Sequence, residues 1–396
     1  MINVAKKTMT RFYAKRMAYF AVLLFLLTAC DSDDDFMIDT DAEKVPEPPE
    51  EIEPVGYLAP LQLPDTIKLT YGEDFRGELP NEYQSMNVSF ELQFHNENIE
   101  ITSEKNLQKV LGMGIYIDAA TNQLMVDSQE LYPNNFSSSI TGKRLPDAYK
   151  VTLTASSSPM YLPVSKTFFI KIAPARIQIE EMDNSMVIPF AYQMYKDSEA
   201  IAYHLSAPAL NLENTQWQLH QNGRPDEKVI LQENAVSFAE NPGDPAQEAE
   251  WTYDLIASLE RDGYALATRQ FRVRFIPEIK FLYGMYYADL DLTILTNRLQ
   301  IALHQDYQSP APQIYPEKYK KSFSILSIEK DGTTFNNEEN IITIDPETGR
   351  IKVAHNHSLT QGEYLIKVEA QTTTGLSFET NLTLVMSQPS EDDHEH

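Results

Sequence analysis

The chain has 396 residues, enough for two to four domains of about 100–200 residues each. At 42% hydrophobic and 10% aromatic it is too apolar to be disordered throughout, and one cysteine excludes an internal disulfide framework or a cysteine-held zinc site. The balance of 32 basic against 58 acidic residues, a net charge of -26, repels phosphate backbones and anionic lipid. That excludes nucleic acid as a partner and a basic patch as the means of membrane attachment.

The first 16 residues carry Lys6, Lys7, Arg11, Lys15 and Arg16 and no acid, and the run Ala18–Leu27 that follows is wholly apolar. It is too short to span a bilayer comfortably and fits the apolar region of a signal peptide. Leu27-Thr28-Ala29-Cys30 then resembles a bacterial lipobox, which implies a signal peptide over residues 1–29 and lipid attachment at Cys30. Each buried CH₂ of an acyl chain contributes about 0.8 kcal/mol, so two or more chains hold a protein stably. Asp31, Ser32, Asp33, Asp34 and Asp35 directly behind it resemble the surface-export signal of Bacteroidota lipoproteins. The resemblance implies an outer-membrane protein that faces the extracellular side. Residues 30–57 continue acidic and are interrupted by Pro46, Pro48, Pro49 and Pro54, which predicts an extended, disordered tether.

Beyond the tether the pattern is one of strands. Met86, Val88, Phe90, Leu92 and Phe94 alternate with polar residues, the period of a half-buried strand, and no comparable segment shows a helical apolar face. A pair of strands recurs three times: Tyr149, Val151, Leu153, Ala155 with Phe168, Ile170, Ile172; Tyr253, Leu255, Ala257, Leu259 with Phe271, Val273, Phe275; and Tyr364, Ile366, Val368, Ala370 with Leu382, Leu384, Met386. A spacing of roughly 100 residues is that of an immunoglobulin-like sandwich. Ile117-Asp118 to Val126 matches Ile344-Asp345 to Val353, each with a turn at Asn122 or Gly349 suited to positive φ; the middle copy lacks it. Pro174 and Pro277 end the first two copies, since proline cannot extend a ladder. The reading is an all-β chain of three tandem sandwiches, 58–174, 175–277 and 278–388, joined by short, fairly stiff joints, with a disordered tail at 389–396.

The run from Ile344 to Val353, followed by Gly362-Glu363-Tyr364 and a strand ending Val368-Glu369-Ala370, resembles the second half of a cadherin-like repeat. Calcium does not carry over with the resemblance. The joints read Ala173-Pro174-Ala175 and Ile276-Pro277-Glu278 and lack the carboxylates that an ion with six to eight oxygen ligands requires. Asp289 and Asp291 read as a solvated pair rather than a remnant of such a site.

No nucleophile elbow, zinc-protease pair or phosphate-cradling glycine loop appears, so no catalytic residue, metal or cofactor is expected. His355 and His357 share a strand face and become a metal site only if a third ligand arrives from elsewhere. They read as a polar strand end beside Asn356, and the tail Glu391–His396 as frayed. Sugar binding uses exposed aromatic faces. Trp217 falls on the core side of its strand, Trp251 points inward or caps the core, Tyr286 has the parity of an outward residue, and Tyr264 sits in a turn. The recurring Tyr149, Tyr253 and Tyr364 resemble the corner tyrosine of such sandwiches. These features predict a non-catalytic binding module, foremost for polysaccharide, with a structural or adhesive contact to another surface protein as the alternative. A cluster of outward aromatics favours sugar; an apolar edge patch favours protein.

Overall fold

The structure, a computed structural model, describes residues 56–158, 161–195, 201–244, 246–355 and 357–388. Cys30, the acidic run Asp31–Asp35, the tether up to residue 55 and the tail from 389 lie outside the described residues. Among the described residues no helix is long and apolar enough to cross a membrane.

The chain is all-β, and its three tandem immunoglobulin-like, cadherin-like sandwiches share one plan. In each, the last two long strands form an antiparallel hairpin, and an early strand runs parallel to the final one. In the first sandwich Thr66–Thr70 lies parallel to Val164–Ala173, which pairs with Tyr149–Ser156 and through it with Ser89–Phe94. In the second, Phe190–Met194 lies parallel to Tyr264–Ile276, the partner of Trp251–Arg261. In the third, Arg298–Ala302 lies parallel to Ser377–Ser387, the partner of Gly362–Thr372. A smaller sheet closes each sandwich. Its strands are Asp74–Glu78, Gln123–Asp127 and Ile115–Asp118 in the first sandwich, and Gln178–Ile179, Tyr203–Ser206, Ala235–Phe238 and Val229–Gln232 in the second. In the third they are Tyr307–Gln308, Ile351–Val353 and Ile342–Ile344.

The alternation of the hairpin strands is what fills the cores. Tyr149, Val151, Leu153 and Ala155 are all buried, as are Tyr253, Leu255, Ala257, Leu259 and Tyr364, Ile366, Val368, Ala370. The three tyrosines direct their hydroxyls to local partners. Tyr149 donates to the Tyr132 carbonyl (2.7 Å) and Tyr364 to that of Thr360 (3.2 Å). Tyr253 donates to Asp226 Oδ2 and accepts from the Gly243 N–H, both at 2.6 Å. The matched turns also form as the residues dictate. Asp118 accepts from Ala120 N–H and the Thr121 hydroxyl, with Asn122 at φ 53°, while Asp345 accepts from Glu347 and Thr348 N–H, with Gly349 at φ 71°. The middle sandwich uses a different hairpin, with Glu233 at φ 54° between Val229–Gln232 and Ala235–Phe238.

One helix departs from the strand pattern. Leu107–Gly114 is α-helical, capped by Asn106, whose side chain accepts the Lys109 N–H, and it buries Leu107, Val110, Leu111 and Gly114. That spacing of three and four residues is a helical face, and the asparagine before it is a favoured N-cap.

Candidate functional site

The feature that stands out from the sandwich plan is a two-stranded hairpin of the third sandwich, Gly284–Tyr287 paired with Leu292–Leu295. Its base is anchored by Tyr283, which is buried and donates to the Gly349 carbonyl at 2.8 Å. Gly284 follows at φ 149°, where a Cβ would stand 2.1 Å from the Ile294 carbonyl oxygen, so only glycine lets the two backbones approach. That turn of the chain breaks the parity set by Tyr283. Met285 pairs with Ile294 and Tyr287 with Leu292, and directly paired residues share a face. All four side chains are exposed, Met285 at 55% and Ile294 at 48%. Leu290 at the tip is 72% exposed and Leu295 58%. Among the described residues neither strand joins another sheet, so the backbone edge of Leu292–Leu295 is open.

Tyr286 occupies the other face and is half-buried, correcting the outward position its parity suggested. Its N–H donates to Gln313 Oε1 (2.6 Å), its hydroxyl to Asp291 Oδ1 (2.9 Å), and its ring packs edge-on against Tyr315. The bond to Asp291 is the main reason its phenol titrates above the ordinary range. Asp291 therefore closes the hairpin turn, in the left-handed region at φ 45°, with Tyr286 as its partner.

The tryptophans divide. Trp217 is half-buried against the second core and, with Leu205, Ala207, Pro208, Leu210 and Leu212, lines an open cavity of about 350 Å³. Trp251 takes the capping role of the two its parity allows: it is 46% exposed, at the outer end of its strand. There it covers Gly243, whose Cβ would meet it at 2.8 Å, and tilts against Tyr253.

Tyr264 is the largest departure from expectation, because it belongs to another domain's core. The tip of the second sandwich's hairpin enters the first sandwich, where Tyr264 and Leu266 are fully buried among its core residues. Arg261 donates at 2.8 Å to both the Gln129 and Leu131 carbonyls and lies 4.9 Å from the centre of the Tyr132 ring. Asp262 accepts from the Tyr132 hydroxyl and from Lys105 (3.2 Å). Gly263 accepts at 2.8 Å from the Ser139 N–H, and at φ 80° its missing Cβ leaves room for the Ser138 hydroxyl.

The second joint has its own small core of Ile276, Ile279, Ile314, Tyr319, Phe323 and Ala370. Beside it Glu250 accepts from Lys318 and the Tyr319 hydroxyl, each at 2.8 Å. The Lys318 bond is the chief cause that holds the Glu250 carboxyl below its ordinary value of 4.5. A carboxylate depressed in the folded state stabilises fully above its unfolded pKa and loses that contribution as pH falls through the folded one. Glu250→Gln is therefore expected to lose less melting temperature than the parent between about pH 5 and about pH 3. An equal loss in both proteins would show that the joint does not depend on this charge.

Among the described residues one group has side-chain ligand atoms that converge within 4.8 Å, Glu180, Glu181 and His204. It is occupied internally: His204 Nδ1 lies 2.5 Å from Glu181 Oε1, and Glu181 Oε2 accepts the His204 N–H at 2.7 Å. The bond to Glu181 raises the imidazole above its ordinary range. This is a closed histidine–carboxylate hydrogen-bonded pair.

No family model and no curated protein matches the chain. Among solved structures it is similar to Drosophila OTK extracellular domains 3–5, at 12% identity and a TM-score of 0.29, covering 85% of this chain and 98% of that one. It is similar also to Sidekick-1 immunoglobulin domains 1–4, at 14% identity and a TM-score of 0.28, covering 82% and 74%. A third is Protocadherin Gamma B2 extracellular cadherin domains 3–6, at 9% identity and a TM-score of 0.23, covering 81% and 70%.

Proposed function

We propose that the chain is a non-catalytic display protein, held in the outer membrane by lipid on Cys30 and facing outward, whose third sandwich contacts another surface protein through the hairpin 284–295. The observation that carries the contact is the single apolar face made by Met285, Tyr287, Leu292 and Ile294, with Leu290 exposed at the tip beside it. Contiguous exposed apolar surface marks protein or membrane contact, and an open strand edge offers main-chain hydrogen bonds to an added strand. Polysaccharide has less support. Sugars stack on flat aromatic faces, whereas Tyr287 alone of these residues is aromatic and the Tyr286 ring is already packed. The leader, the acidic run and the tether support the location; nothing in the folded region bears on it.

Two experiments test the parts separately. Cys30→Ala is expected to move the protein from the membrane to the soluble fraction, and continued retention in membranes would sink the anchor. For the contact, Leu292→Glu with Ile294→Glu is expected to abolish capture of an outer-membrane protein by cross-linking while leaving the melting temperature within about 1 °C, since surface changes cost little. Unchanged capture, or binding of the parent to a glycan panel that survives both substitutions, would reverse the choice of ligand.

A further inference from the structure

Three of the chain's eight histidines meet at one end of the third sandwich. The meeting follows from strand register. Tyr307–Gln308 runs antiparallel to Ile351–Val353 with Tyr307 opposite Val353, so the residues leading into the first strand and those leaving the second lie at the same end. His304 thus supplies the third imidazole that the pair His355 and His357 lacked. Its ring centre lies 4.9 Å from that of His357, which lies 5.4 Å from that of His355. Two imidazoles bound to one tetrahedral ion at about 2.0–2.1 Å hold their centres roughly 5 Å apart, so the rings stand at a compatible separation, although their nitrogens do not converge until a ring turns. His304 is half-buried and held in the left-handed region at φ 64°, which fixes where its side chain leaves the backbone. His355 and His357 are exposed, and rotating an exposed ring between staggered positions to converge its nitrogen costs little. The backbone N–H of His355 donates to Asp306 Oδ1 at 2.5 Å, which ties the two loops together.

We propose that His304, His355 and His357 form a binding site for a borderline divalent transition ion of the zinc or copper class. Imidazole nitrogens suit such ions, while calcium takes six to eight oxygens and is not served here. The site lies apart from the hairpin 284–295 and needs no partner to form. Its test uses the full chain with His394→Gln and His396→Gln, which removes the histidines of the tail, titrated with zinc chloride in a calorimeter. One zinc per chain is expected, together with a rise in melting temperature on adding zinc. His304→Asn, which tolerates positive φ, and the exposed His357→Gln are each expected to weaken binding at least about tenfold without changing the metal-free melting temperature. Glu181→Gln is expected to leave the isotherm unchanged. Zinc uptake that vanishes with the tail histidines, or that follows Glu181→Gln and not His357→Gln, would overturn the site.

Discussion

Tyr264→Ala is expected to destabilise the first sandwich by about 3–5 kcal/mol, the usual cost of removing a large buried aromatic, although the residue lies in the second sandwich's hairpin. The side chain is fully buried, its ring centre is 5.3 Å from that of Tyr132, and the core it joins includes residues as distant in sequence as Leu107 and Tyr149. The cavity it leaves opens beneath Tyr132, whose hydroxyl and ring hold Asp262 and Arg261. The measurement is amide hydrogen exchange combined with urea denaturation. Protection is expected to fall at Leu131, Tyr132 and Tyr149 as well as in the hairpin, and the urea midpoint to drop. A loss of protection confined to residues 251–276 would show that the tip merely rests on the first sandwich.

Phe275→Ala is expected to cost a similar amount, about 3–5 kcal/mol, in the second sandwich. Phe275 is the hub of its aromatic cluster: its ring centre stands 4.9 Å from Phe238, 5.7 Å from Tyr195 and 5.9 Å from Tyr253. Edge-on and stacked pairs of this kind add stabilisation beyond the area they bury. Because the same strand, Tyr264–Ile276, begins inside the first sandwich's core, loosening it is expected to lower the first sandwich's melting as well. Calorimetry should show the two sandwiches shifting together. Melting of the first sandwich unmoved by Phe275→Ala would mean that the two cores are energetically independent.

The repeat was legible because each long hairpin strand alternates over the stretch that fills its own core, departing from it at 257–260 and 264–267 near the hairpin tip of the second sandwich. The parallel pairing of Phe190–Met194 with the final strand was not legible, since a short mixed run such as Phe190-Ala191-Tyr192 has no clear period. The helix 107–114 carried a readable signal in Asn106 and the buried spacing of Leu107, Val110, Leu111 and Gly114, hidden by its length of eight residues. At the hairpin 284–295 parity counting from Tyr283 failed because Gly284 turns the backbone, so Met285 and Tyr287 face out and Tyr286 packs. Trp251 shows the limit of alternation at a strand's end, where the opposite sheet no longer covers the inward face. His355 and His357 were readable as a pair; His304 was not, because its approach depends on a register between strands about fifty residues apart.

The shared core at the first joint also sets an order of events during synthesis. The first sandwich completes its own strands at Ala173, yet two of its core positions are filled by Tyr264 and Leu266, which emerge about ninety residues later. Until then its hydrophobic interior stays open, and the nascent chain cannot lock into its final form from the amino end. The leading domain therefore reaches its final packing only after the hairpin of the second has been made, so the two mature as one unit rather than in sequence.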